Sequence, residues 1–266
     1  MTAALTVGGT PVPVGQLAAL VVAAVLVGFA KTAIGGVASI SVAVFAAVLP
    51  ARESTGVLLP LLMVGDVLAV ASYRAHADWR VLVRLFPSVG LGIVAGTAFV
   101  ARVDDDVMRR TIGAVLIVLV AVHLWTRRPS APAAAPAAAV PEGSGRARLR
   151  RHALAAVFGL LAGFTTMVAN AGGSVMSLYL LTTGLTMLGF LGTGAMFFFL
   201  VNAAKVPFSV GLGLITWSSL RVDALLAPAV LLGGWLGRRT IHRIDEALFE
   251  RLVLVFTVVS ALNLMR

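Results

Sequence analysis

The chain has 266 residues, 59% hydrophobic and 12% charged, with a formal net charge of +10 and a mean hydropathy of +1.00. Soluble domains carry roughly 25% charged residues, so this composition excludes one and leaves an all-α polytopic membrane protein. Without cysteine there can be no disulfide, thiolate metal site or thiol relay.

Runs such as Leu-Ile-Val-Leu-Val-Ala-Val at 116–122 do not alternate, which argues against an outer-membrane barrel. Five apolar segments come first, at about 15–33, 35–49, 54–73, 81–101 and 107–125. The first two are short for a hydrocarbon core that takes about 20 helical residues. Each is either a short span or half of a re-entrant hairpin. Between them lies Val-Gly-Phe-Ala-Lys-Thr-Ala-Ile-Gly-Gly-Val at 27–37, a lysine and a glycine pair within otherwise lipid-like sequence. Such a break survives only inside protein or beside water. The first Lys or Arg is Lys31, so no basic region of a secretory signal precedes the first segment, which is expected to be retained.

Residues 127–151 change character, with prolines every few positions and arginines at both ends. This composition predicts an exposed linker. It divides the chain into a first membrane half (1–126), the linker (127–151) and a second half (152–266). Five more apolar segments follow, at about 153–170, 172–185, 187–212, 223–237 and 247–265. The second half repeats the break as Ala-Gly-Phe-Thr-Thr-Met-Val-Ala-Asn-Ala-Gly-Gly at 162–173. Gly28-Phe29 falls on Gly163-Phe164, Gly35-Gly36 on Gly172-Gly173, Pro87 on Pro228, and Gly92 and Gly96 on Gly233 and Gly237. The order of these matches implies an internal duplication.

If the linker is cytoplasmic, thirteen of the nineteen arginines lie inside, in the linker and in the loops carrying Arg74, Arg80 and Arg84 and Arg238, Arg239, Arg243 and Arg251. That distribution satisfies the positive-inside rule and accounts for the net charge without nucleic-acid binding. Both termini are then outside, in the cell (plasma or inner) membrane. Five segments per half is an odd number, so the halves are inverted repeats, a scaffold suited to alternating access.

On the breaks at 28–36 and 163–173, the spacing of Pro87–Gly96 and Pro228–Gly237, and the two-half layout, the chain resembles the sulfite exporter TauE/SafE family of membrane permeases. The resemblance covers nearly everything outside the linker and implies transport of sulfite, sulfonates or related small sulfur-containing anions. The first break departs from the usual three-glycine form, with only Gly35 and Gly36, and has Lys31 nearby.

The residues themselves agree with a small anion. Half-helices beginning at Gly35, Gly36 or at Gly172, Gly173 would aim free N–H groups and a positive dipole end into the gap. Lys31 is either an anion ligand or an ion-pair partner of Asp66, the only carboxylate placed well inside an apolar segment. Asp66 is the candidate coupling residue, for a proton or a sodium ion. Asn202 and Lys205, three apart on one helix face, occupy a position comparable to Asp66. With Lys31 and Asn170 they form a candidate anion cage, to which Thr32, Thr165, Thr166 and Ser174 could add hydroxyl donors.

The Gly-x-x-x-Gly spacings at 92/96, 159/163 and 233/237 suit close helix crossing. Met196–Phe199 reads as packing or lipid contact, and Trp79, Trp125 and Trp217 as interfacial anchors. No histidine has ligand spacing. The reading therefore calls for a secondary transporter without catalytic residues, metal or cofactor. Its partners are a small inorganic or organic anion, the bilayer and a coupling H+ or Na+. The alternatives are a non-transporting membrane partner or assembly protein, or an intramembrane enzyme.

Overall fold

In a computed structural model, residues 6–7, 10–11, 13–32, 38–126 and 145–240 are described, with isolated positions 255, 258 and 262. After a two-residue hairpin (β1, Thr6–Val7; β2, Thr10–Pro11) the described chain is helical. The first half supplies α1 (Val14–Thr32), α2 (Ala38–Val48), α3 (Ala51–Tyr73), α4 (Trp79–Val100) and α5 (Asp105–Thr126). The second supplies α6 (Gly145–Ala169), α7 (Gly172–Leu181), α8 (Met187–Gly211) and α9 (Trp217–Thr240). Of the expected segment 247–265 only positions 255, 258 and 262 are described, and of the expected linker 127–151 only residues 145–151, which belong to α6. Among the described residues, six helices are long and apolar enough to cross a membrane: α1, α3, α4, α6, α8 and α9.

Of the two segments expected to be short, 15–33 forms the 19-residue α1, long enough to cross, whereas 35–49 yields the half-length α2, matched in the second half by α7. At about 1.5 Å per residue, the 11 residues of α2 and the 10 of α7 reach about half of a ~30 Å core. Both run back along the helix before them. Ser41 Oγ donates to the Ala23 carbonyl at 3.0 Å, well before the end of α1. The Tyr179 ring lies 5.9 Å from that of Phe158 on α6, while Gly172 abuts Ala162 and Thr166. The start of α7 is therefore set below the end of α6. Asn170 makes that turn: it has φ +50°, the left-handed conformation that ends many helices. Its N–H donates to the Thr166 carbonyl at 3.0 Å.

Lipid is as apolar as leucine, so helices associate through close packing and hydrogen bonds and not through hydrophobic burial. The glycine spacings supply the packing. The two most extensive helix pairs are α4 with α6 and α1 with α9. A Cβ at Gly28 would collide with the carbonyl of Val230, and one at Gly233 with that of Val25. Gly92 and Gly163 hold the other crossing, against Leu160 and Val89. Hydroxyls tie each pair: Thr32 Oγ1 donates to the Gly234 carbonyl at 3.0 Å, and Ser88 Oγ to that of Ala155 at 2.9 Å. Contacts advance in step along both pairs, so the partners are parallel. Each half thus lends its fourth helix to the first helix of the other.

The core accordingly forms two main clusters, one centred on α1, α2, α3, α5 and α9 and the other on α4, α6, α7 and α8. Between them α3 and α8 cross antiparallel, with Gly56 against Leu214, Asp66 against Asn202 and Tyr73 beside Gly192. Trp79 and Trp217, at the starts of α4 and α9, are 51% and 82% exposed, as anchors should be. The Trp125 side chain lies outside the described set.

Candidate functional site

At the α3–α8 crossing, polar groups from four helices meet beside a cavity of about 170 Å³. Lys31, one residue from the end of α1, reaches Asp66 on α3, with Nζ 2.5 Å from Oδ1. Asp66 is fully buried, and its Oδ2 accepts from Asn202 Nδ2 of α8 at 2.6 Å. The Asn202 carbonyl oxygen turns toward Lys205 Nζ at 3.4 Å. Lys205 also donates to Asn170 Oδ1 at 2.6 Å, to the Thr166 carbonyl at 2.7 Å and to Thr166 Oγ1 at 3.3 Å. Asn170 Nδ2 closes the chain by donating to the Thr55 carbonyl at 2.9 Å.

Each amide lies between a donor on its oxygen side and an acceptor on its nitrogen side, which sets both orientations. The network carries two lysines and one aspartate, a formal excess of one positive charge. It is covered by protein, as polar groups at membrane depth must be.

Among the expected site residues, Lys31, Thr32, Thr166, Asn170, Gly173, Ser174 and Asn202 line the cavity, together with Asp66. Gly173 and Ser174 belong to the first turn of α7, whose N-terminus has no side-chain cap. Its free N–H groups and positive dipole end face the same space as Lys31. Three expected residues, Gly172, Lys205 and Thr165, do not line the wall. Gly172 packs against Thr166 and the Ala162 carbonyl. Lys205, 1% exposed, lies behind Asn170 and Asn202 and tethers both. Gly35 and Gly36 fall outside the described residues. Thr165 bonds back to the Leu161 carbonyl at 2.7 Å, so it supplies no free donor.

Other residues give little sign of themselves in the sequence. Phe198, expected to be packing or lipid contact, lines the cavity with its ring centroid 4.6 Å from Lys31 Nζ. Its neighbour Phe197 fits the packing reading, buried and stacked on Phe86. Ser39, Ser177 and Tyr73 also reach the cavity, and nothing in their spacing marks them. A correction concerns carboxylates. Asp66 is not alone inside an apolar segment, because α9 begins at Trp217 and carries Asp223 into its second turn. Asp223 is 5% exposed and neither of its oxygens has a hydrogen-bond partner.

The cavity also has a direction. Tyr73 at the end of α3, Leu180 near the end of α7, and Phe190 and Leu191 at the start of α8 form its outer part. Asp78, one residue before α4, binds this end through Thr193 Oγ1 at 2.9 Å. The start of α4 in turn lies beside His152 of α6, so the cavity reaches the linker-side end of the bundle. Toward the other end lie the Asn170–Thr55 hydrogen bond and the contact of Gly56 with Leu214. No cluster of metal-ligating side chains occurs among the described residues.

Comparison with protein families matches the one described as sulfite exporter TauE/SafE over residues 20–264. Comparison with curated proteins and with solved structures gives no match.

Proposed function

Because the chain belongs to the sulfite exporter TauE/SafE family of membrane permeases, we propose that its cavity is the substrate site and that a small sulfur oxyanion or organosulfonate binds between Lys31 and the start of α7. The observation that carries this reading is the convergence of the Lys31 ammonium and the uncapped α7 N-terminus on one cavity of about 170 Å³. An oxyanion there takes N–H and hydroxyl donors from the first turn of α7 and charge from Lys31. Lys205 contributes through its neighbours, fixing Asn170 and Asn202 in place.

Asp66 gives this site its coupling. Its carboxylate holds the ammonium that the anion needs, so anion and carboxylate compete for Lys31. A proton on Asp66 weakens that grip and lets the anion in, which links one proton to each anion. Sodium fits less well: both carboxylate oxygens face N–H donors, whereas a hard cation requires a shell of oxygens. The described conformation is the one that exchanges substrate with the linker side, cytoplasmic in the positive-inside reading. No step of this scheme makes or breaks a covalent bond in the substrate, so the chain acts as a transporter and not as an enzyme.

Two features support an inverted duplication behind this arrangement. The helix exchange is reciprocal, with α1 on α9 and α6 on α4. Asp66 and Asn202, 136 residues apart, correspond at nearly the same offset as Gly28 and Gly163, and they touch. Equivalent positions of two inverted halves meet on the axis that relates them.

Thermal stabilisation of the purified chain by sulfite, thiosulfate, sulfate and short-chain sulfonates tests the site. At least one of these anions should raise the unfolding temperature of the wild type, and Phe198→Ala should alter the ranking among them. A chain stabilised by none of them, or equally by chloride, would remove the substrate assignment.

A further inference from the structure

A second cavity lies away from the polar network, on the outer face of the α4–α6 pair. It measures about 560 Å³ and is lined by Trp79, Arg80, Val83, Arg84, Pro87 and His152. Gly159 packs against Ser88 and the Leu85 carbonyl, and Gly163 against Val89. The groove lies on the linker side of these glycine contacts, between Trp79–Pro87 of α4 and His152 of α6.

Its polarity is graded along the membrane normal. At the linker-side end stand Trp79, Arg80 and His152, with exposed Arg151 adjoining, while Arg84 lies deeper, one residue past Val83. One turn deeper come Val83, 64% exposed, and Pro87. The exposed apolar surface then continues as Leu91 and Val94 on α4 and as Val157, Leu160 and Leu161 on α6. The neighbouring acidic group is already engaged: Asp78 caps α4, accepting from the N–H groups of Arg80 at 2.8 Å and Val81 at 3.2 Å. Arg84 is shared with the interior, since its guanidinium lies close to the Tyr179 hydroxyl on α7.

We infer that this groove is a binding site for an anionic phospholipid, with the phosphate on Arg80 and His152 and an acyl chain along Val83, Pro87 and Leu91. The order of basic, aromatic and apolar groups from the interface inward is the order of the parts of such a lipid. Guanidinium groups match phosphate in shape and charge, and a tryptophan suits the headgroup level. A free phosphate would use the arginines but would leave the apolar track uncovered, so a lipid is the better occupant. The site is separate from the substrate cavity and does not depend on what the protein transports.

Native mass spectrometry of the full-length chain in detergent tests this, with phosphatidylglycerol, phosphatidylcholine or inorganic phosphate added. Arg84 should be left intact because it also lies close to Tyr179; the informative variant is Arg80→Gln with His152→Gln, both exposed positions. An arginine near the membrane surface is worth about 1 kcal/mol of anionic-lipid attraction, and His152→Gln removes a ring donor besides, so the double variant should bind phosphatidylglycerol about fivefold or more weakly. Phosphatidylcholine should bind both proteins alike, Arg102→Gln should change nothing, and inorganic phosphate should not displace the lipid. Equal phosphatidylglycerol retention by variant and wild type would overturn the site, as would displacement by phosphate. A photoactivatable phosphatidylglycerol provides a reading on the wild type alone: labelling should fall within 79–91 of α4 or 152–161 of α6, and labelling confined to other helices would also overturn it.

Discussion

Replacing Lys31 by methionine separates the two tasks assigned to that residue. The substitution leaves the Asp66 carboxylate fully buried, with only Asn202 donating to it. Removing one partner of a buried ion pair destabilises a fold by about 3–5 kcal/mol, because the remaining charge is uncompensated. A change of this size shifts the folded-to-unfolded ratio by roughly 100-fold to several thousand-fold. Lys31→Met alone should therefore lower both thermal stability and transport. Adding Asp66→Asn removes the stranded charge while keeping an amide that can reorient toward Asn202. The double variant should regain most of the lost stability yet remain unable to carry the anion. Thermal unfolding in detergent and flux into proteoliposomes, measured on the wild type, both single variants and the double variant, give the complete cycle. The reasoning fails if Lys31→Met is as stable as the wild type. It fails equally if the double variant transports with wild-type saturation, since Lys31 would then be a structural partner only.

Asp66→Asn alone should uncouple the carrier: a pH gradient should no longer drive uptake, and persistence of wild-type pH dependence would exclude Asp66 as the coupling residue. Gly28→Leu should abolish folding, because even a Cβ meets the Val230 backbone and overpacking by larger groups costs about 1–3 kcal/mol or more. Gly90→Ala, where a Cβ meets nothing within 4 Å, should be neutral in the same expression and melting assays. Lys205→Met should destabilise by about 1–3 kcal/mol or more, since it strands neutral acceptors on Thr166, Asn170 and Asn202. A reporter active only in the cytoplasm should be silent when fused to the C-terminus; activity there would break the inverted-repeat topology.

Several parts of this arrangement are visible in the residues. The glycine pair Gly172-Gly173 interrupts an apolar run, and the structure starts a half-helix there because Asn170 turns the chain. Lys31 and Asp66 are conspicuous as charges inside apolar segments, and their pairing follows from the need for compensation at that depth. The Gly-x-x-x-Gly spacings disclose close crossings, although not that each half's first helix crosses the other half's fourth. Other features leave no local mark. Phe198 belongs to a run of three phenylalanines, and only the geometry of α8 distinguishes the ring that meets Lys31 from the one that stacks on Phe86. Asp223 escapes because Arg221 and Asp223 make the start of α9 read as loop. Lys205 reads as a ligand from its polarity, but its position on α8 sends it behind the wall, where it orders the amides that line it.

Flux into proteoliposomes reconstituted with the wild-type chain tests the central claim most directly, with sulfite, thiosulfate, sulfate and short-chain sulfonates offered in turn under an imposed proton gradient, an imposed sodium gradient or neither. Saturable uptake of at least one of these anions, accelerated by the proton gradient and indifferent to sodium, is the predicted result. Absence of saturable flux for every anion under every gradient would contradict it, and would favour a membrane protein that acts through a partner.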